Sequence, residues 1–132
     1  MKFESNSLKS AHFDVAEEIL GLAMNGSIKA FVTPSIVHIC GYWLTKAYNQ
    51  DKAKKIILSL LADVKCLDIT HEITIAALHS SIKDIGDAMQ YYTALHHKAD
   101  YFITRDKQLH KEAISILPAY SPEEFLKEMR NK

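Results

Sequence analysis

The chain has 132 residues, 48% of them hydrophobic, enough for one globular domain over residues 1–132 that buries roughly two thirds of the surface its unfolded form exposes. Sixteen basic and sixteen acidic residues give zero formal charge, which excludes the polycation character behind sequence-blind nucleic-acid binding and leaves only a local contact. No run reaches the roughly 18 apolar residues of a membrane span, no apolar leader core is present, and Cys40 and Cys66 form no Cys-x-x-Cys pair, so the expectation is a cytoplasmic protein with buried thiols and no membrane partner.

Val15, Ile19, Leu22 and Ala23 recur at helical spacing from about Ala11, with Asn25-Gly26 as the C-cap. Ile28 to Thr33 reads as a strand stopped by Pro34. Beyond it Ile36, Ile39, Cys40, Trp43, Leu44 and Ala47 form a wide apolar stripe on a second helix. Trp43 and Tyr42 are expected in the core, or in a dimer patch if the stripe is wider than one sheet can cover. Ala53, Ile56, Ile57, Leu60, Leu61 and Val64 keep the period on a third helix, whose Lys52, Lys54 and Lys55 solvate its polar face.

Cys66 to Ile69 is a second strand, and Thr70 caps a short helix carrying Ile73, Ala76 and Ala77. A helix from Asp84 to about His97, a strand from Tyr101, a turn or helix over 107–113, a further segment over 116–120 and a last helix from Pro122 complete the chain. Helices alternating with short apolar strands predict an α/β fold, a parallel sheet with helices on both faces. Ligands of such sheets sit at the carboxyl ends of the strands.

Asp84, Asp87 and Tyr91 share one arc of their helix, beside the apolar arc of Ile85, Ala88, Met89, Tyr92 and Leu95. Two carboxylates at the positive end of a helix dipole could hold a hard divalent cation, and Asp106, closing the next strand, is placed to join them. Mg²⁺ takes oxygen ligands and keeps part of its water shell, and such a water can be activated to attack a phosphodiester. Thr104, Arg105 and Lys107, with Lys83 ahead of the helix, could contact the phosphates. Equally, Asp-x-x-Asp at a helix start is an acidic capping box and Asp106 a cap for the following turn, and spacing alone does not decide between the two.

The seven histidines at 12, 38, 71, 79, 96, 97 and 110 offer no pair with zinc-site spacing. The absence of a Gly-rich phosphate loop and of a Gly-x-Ser-x-Gly elbow argues against nucleotide hydrolysis and serine-hydrolase chemistry. A phosphoacceptor receiver domain needs an acidic pair after the first strand and a late lysine beside the site, and neither arrangement is found.

The run Asp84-Ile-Gly-Asp87-Ala-Met-Gln-Tyr-Tyr-Thr-Ala-Leu95, then Ala99-Asp-Tyr-Phe-Ile-Thr-Arg-Asp106, then Ser121-Pro-Glu-Glu-Phe125, resembles in order and spacing the PIN-domain family of metal-dependent ribonucleases, which includes the toxins of bacterial toxin–antitoxin pairs. Helix one and Phe31-Val-Thr-Pro-Ser35 are similar more loosely. The resemblance implies a Rossmann-like three-layer fold, a Mg²⁺ or Mn²⁺ site built from acids, single-stranded RNA as substrate and an antitoxin protein as partner. By position, Asp87 matches the helix acid, Asp106 the acid closing Thr-Arg-Asp, and Asp84 an auxiliary acid.

Two departures follow from the same comparison. The family opens with a central strand ending in Asp-Thr-Asn; here that strand is expected to be missing or stunted, with Glu4-Ser5-Asn6 in its place and Glu4 as a substitute metal ligand. The helix after Pro34 lacks the family's glutamate, and His38 is the nearest polar residue. The expected function is therefore a divalent-metal-dependent ribonuclease of weakened activity, the alternative being a degenerate module that binds RNA or a protein partner without cleavage. Loss of a central strand leaves sheet edges that a homodimer or an upstream extension would pair.

Overall fold

The computed structural model describes residues 6–132, with side chains from Asp14 onward. The described chain divides into two compact bodies, one made of residues 29–100 and the other of residues 6–28 with 101–132.

In the body of residues 29–100, β1 (Ala30–Val32) leads into α2 (Pro34–Ala47), α3 (Gln50–Leu61), β2 (Val64–Cys66), α4 (His71–Leu78) and α5 (Ile85–His96). Each helix begins where a short polar side chain accepts a backbone N–H of the first turn: Thr33 from Ile36, Asn49 from Lys52, Thr70 from Ile73 and Asp84 from Asp87. β1 and β2 pair in parallel, Ala30 opposite Val64 and Val32 opposite Cys66, and Leu67 N–H extends the ladder to the Val32 carbonyl. A parallel pair needs a long crossover, supplied here by α2 and α3. α2 packs on α3 and α4 on α5. Ala53, Val64, Leu67, Ile73, Ala77, Ala88 and Tyr91 are buried.

The expectation of a core Trp43 is corrected: no residue of α2 is buried, and Tyr42 and Trp43 are 53% and 57% exposed. The apolar stripe of α2 is wider than its support. Ile36, Cys40 and Leu44 are half-buried while Ile39, Trp43 and Ala47 face out, because α3 is itself a mostly exposed helix that buries only Ala53.

The second body contains α1 (Asn6–Met24), β3 (Phe102–Ile103), α6 (Lys107–Glu112), β4 (Ala119–Tyr120) and α7 (Pro122–Arg130). α1 ends in a Schellman motif: Ser27 N–H donates to the Leu22 carbonyl, Gly26 N–H to the Ala23 carbonyl, and Gly26 sits at φ +82. α5 closes by the same pair of bonds, Ala99 to Ala94 and Lys98 to Leu95, with Lys98 at φ 59 in the glycine's place. β3 and β4 are parallel, Phe102 opposite Ala119. α7 opens with Pro122 after a reciprocal capping box between Ser121 and Glu124. The Phe125 ring meets Tyr101 edge-on at 5.5 Å, Arg130 pairs with Glu18 of α1 at 2.9 Å, and Leu109, Leu117, Phe125 and Leu126 are buried.

Several boundaries differ from expectation. α1 begins at Asn6 rather than near Ala11, and β2 lies earlier than Cys66–Ile69 because Val64, 3% exposed, is the residue that alternation with exposed Lys65 drives inward. Among the described residues the strands form two separate parallel pairs rather than one continuous sheet. The stunted first strand and Glu4 lie outside the described residues. No helix among those described is long and apolar enough to cross a membrane, and both cysteines are free thiols.

Candidate functional site

Asp84 and Asp87 belong to the first turn of α5. Asp84 is its N-cap, with extended backbone (φ −77, ψ 121), and Asp84 Oδ1 accepts the Asp87 N–H at 2.8 Å. A Cβ at Gly86 would stand 3.2 Å from Asp84 Oδ1, so any larger residue there would push the capping carboxylate back by a few tenths of an ångström. The Asp-Ile-Gly-Asp run thus places two acids on one helical turn at the positive end of the α5 dipole.

One turn beyond Asp87, Gln90 receives the Thr33 hydroxyl on its Oε1, and Thr33 Oγ1 in turn accepts the Ile36 N–H at 3.4 Å. This buried threonine therefore ties the carboxyl end of β1 and the start of α2 to the acidic end of α5. The sequence contained only half of that link: Thr-Pro marks a helix start, but nothing local assigns Gln90 as its partner. His38, the nearest polar residue to the family's missing glutamate, is exposed on α2.

In the other body, Thr104 to Lys107 form a tight turn. Thr104 N–H donates to the Tyr120 carbonyl at 2.9 Å, Thr104 Oγ1 accepts the Asp106 N–H at 3.1 Å, and Asp106 Oδ1 accepts the Gln108 N–H at 2.9 Å. Asp106 is thereby the N-cap of α6. His110 Nε2 lies 2.9 Å from the Thr104 carbonyl, holding the turn from the far side of α6. Arg105 is bound through Nη1 to both carboxylate oxygens of Glu123, at 2.8 and 3.0 Å, in an exposed pair, and Lys107 is exposed at the first position of α6. A phosphate reaching Arg105 must compete with Glu123. Nearby, backbone and side-chain bonds from Ser121 hold the Glu124 carboxyl below the usual glutamate range.

The capping reading is therefore met at both Asp84 and Asp106. A cap uses one of the roughly four lone-pair sites of a carboxylate, so capping and cation binding are compatible. The oxygen-donor set suits Mg²⁺ or Mn²⁺. Asp84 and Asp87 lie in one body and Asp106, with Thr104, Arg105 and Lys107, in the other. Among the described residues no three His, Cys, Asp or Glu side chains are grouped so as to hold a metal. An open hollow of about 220 Å³ beside Glu72, Tyr92 and His96 touches neither acid of α5.

A family model described as PIN domain matches residues 5–108. The matched span covers Asp84, Asp87 and Thr104 to Lys107; Glu4 and α7 fall outside it. Nothing matches among curated proteins or among solved structures.

Proposed function

The chain belongs to the PIN-domain family, and from that membership we propose that it is a divalent-metal-dependent ribonuclease of the toxin type acting on single-stranded RNA. In this reading residues 1–132 make one cytoplasmic domain of the family's three-layer architecture. Asp84, Asp87 and Asp106 hold Mg²⁺ or Mn²⁺, with Glu4 as a further ligand, and an antitoxin protein or a second copy is the partner. The observation that carries it is the pair of carboxylates on the first turn of α5, inside the matched span, with Asp84 Oδ1 accepting the Asp87 N–H.

When bound, the cation would supply an activated water for attack on the phosphodiester. The chain's own part is to set out oxygen donors and to steady the RNA. Asp84 and Asp87 present two acids from one rigid turn, and Thr33 with Gln90 braces that turn against β1. Lys107 offers a charge to the backbone of the RNA, and Arg105 does so by exchanging Glu123 for a phosphate. The test is cleavage of single-stranded RNA with Mg²⁺ or Mn²⁺. Asp87→Asn should lower the rate roughly a hundredfold at unchanged fold; equal rates in both proteins would remove Asp87 from the site.

A second reading has its own support. The helix after Pro34 carries no acid, and no three-donor group stands among the described residues. A chain so depleted would bind RNA or a protein partner without cutting. Retained RNA binding with no divalent-dependent cleavage by the unaltered protein would decide for this reading.

A further inference from the structure

Ile39, Tyr42, Trp43 and Lys46 stand at i, i+3, i+4 and i+7 of α2 and so share one face, all of it exposed. The Tyr42 and Trp43 rings meet edge-on at 5.4 Å, and Lys46 Nζ lies 4.6 Å from the first centroid and 5.8 Å from the second. Just past the helix, Tyr48 is also more than half exposed, with Lys52 Nζ 4.4 Å from its centroid. Three exposed aromatic rings thus have two lysines beside them, Lys46 shared by Tyr42 and Trp43 and Lys52 at Tyr48.

Charge is distributed unevenly along this part of the sequence. From Pro34 to Leu61 the chain has Lys46, Lys52, Lys54 and Lys55 against Asp51 alone, although its total is zero. Stacking rings interleaved with cations are what a single strand of nucleic acid requires: every base has a face to stack, and every phosphate a charge to neutralise. A second copy of this chain is a poorer occupant. A two-fold contact here would bring together the lysines of both copies with only one aspartate, Asp51, from each to offset them.

We propose that the exposed face of α2 with the start of α3, through Tyr42, Trp43, Tyr48, Lys46 and Lys52, is a stacking surface for single-stranded nucleic acid. It goes beyond the ribonuclease reading, because it involves none of the acids and operates without a cation or cleavage.

Trp43 is the sole tryptophan, so its fluorescence reports on this face directly. Titrating the full chain with a short oligoadenylate RNA in the presence of EDTA should quench that fluorescence, and added salt should reverse the quenching. With labelled oligonucleotide, Tyr42→Ala and Trp43→Ala should each weaken binding roughly tenfold. Leu78→Ala, exposed on α4, should leave it unchanged. These positions are on the surface, so the variants keep the fold, which circular dichroism verifies. Unchanged affinity in the Tyr42→Ala, Trp43→Ala double variant overturns the proposal. So does a concentration-dependent dimer that Trp43→Ala abolishes without any effect on RNA, which would assign the face to a second copy. The two readings fail separately: Asp87→Asn tests cleavage alone, and Trp43→Ala under EDTA tests binding alone.

Discussion

α2 and α5 carry apolar residues at the same helical period, yet α5 buries Ala88, Tyr91 and Thr93 while α2 buries nothing. The contrast teaches that a periodic stripe fixes which residues share a face, and says nothing of whether anything covers that face. α5 packs on α4, is joined to the end of β1 through Gln90, and is filled by a tyrosine only 2% exposed. α2 lies on α3, a helix with a single buried alanine.

Truncation should divide the two helices most sharply. Tyr91→Ala removes a fully packed ring and should cost about 3–5 kcal/mol in denaturant unfolding followed by circular dichroism. Trp43→Ala should fall within about 0.5 kcal/mol of the unaltered protein. Similar losses at both sites would mean that α2 is covered in solution.

The start of α5 allows a finer cut. Asp84→Ala should cost about 0.5–2 kcal/mol through loss of the cap, whereas Asp84→Asn keeps an amide oxygen for the Asp87 N–H and should cost almost nothing. If Asp84 also holds a cation, Asp84→Asn lowers cleavage while the unfolding midpoint stays in place. A fall in both for Asp84→Asn would show that charge, not the cap, holds this turn.

The smallest expected effect lies at the capping box of α7. The carboxyl of Glu124 is held low in the folded protein, so its stabilisation is present above the ordinary glutamate pKa of about 4.3 and is lost as pH falls through the depressed folded value. Because the group is exposed, Glu124→Gln should flatten the acid limb of the stability curve only slightly. A steeper acid limb in the variant would reverse the assigned sign.

Helix starts were the most legible part of the fold. Thr70, Asp84 and Pro122 mark their helices in the sequence, and Asn25-Gly26 marks the end of α1, because caps and left-handed turns rest on chemistry within a few residues. Strands were less legible: β3 and β4 have two residues each, too few for an alternating pattern to set their limits. Asp84 and Asp87 were readable as a pair on one turn. The Thr33–Gln90 link and the Arg105–Glu123 pair were not, since they join residues 57 and 18 positions apart. The spacing of the acids allowed a cap as readily as a cation site, and the family likeness is what favoured the cation.

Lys98 holds the left-handed turn after α5 that Gly26 holds after α1. A side chain in that conformation costs roughly 1–2 kcal/mol, part of which glycine would give back as extra freedom in the unfolded chain. Lys98→Gly should therefore raise the melting temperature by a few degrees. Position 98 is one where erasing a side chain toughens the protein against heat, and it offers a sturdier background on which weakened variants of the acids can still be purified and assayed.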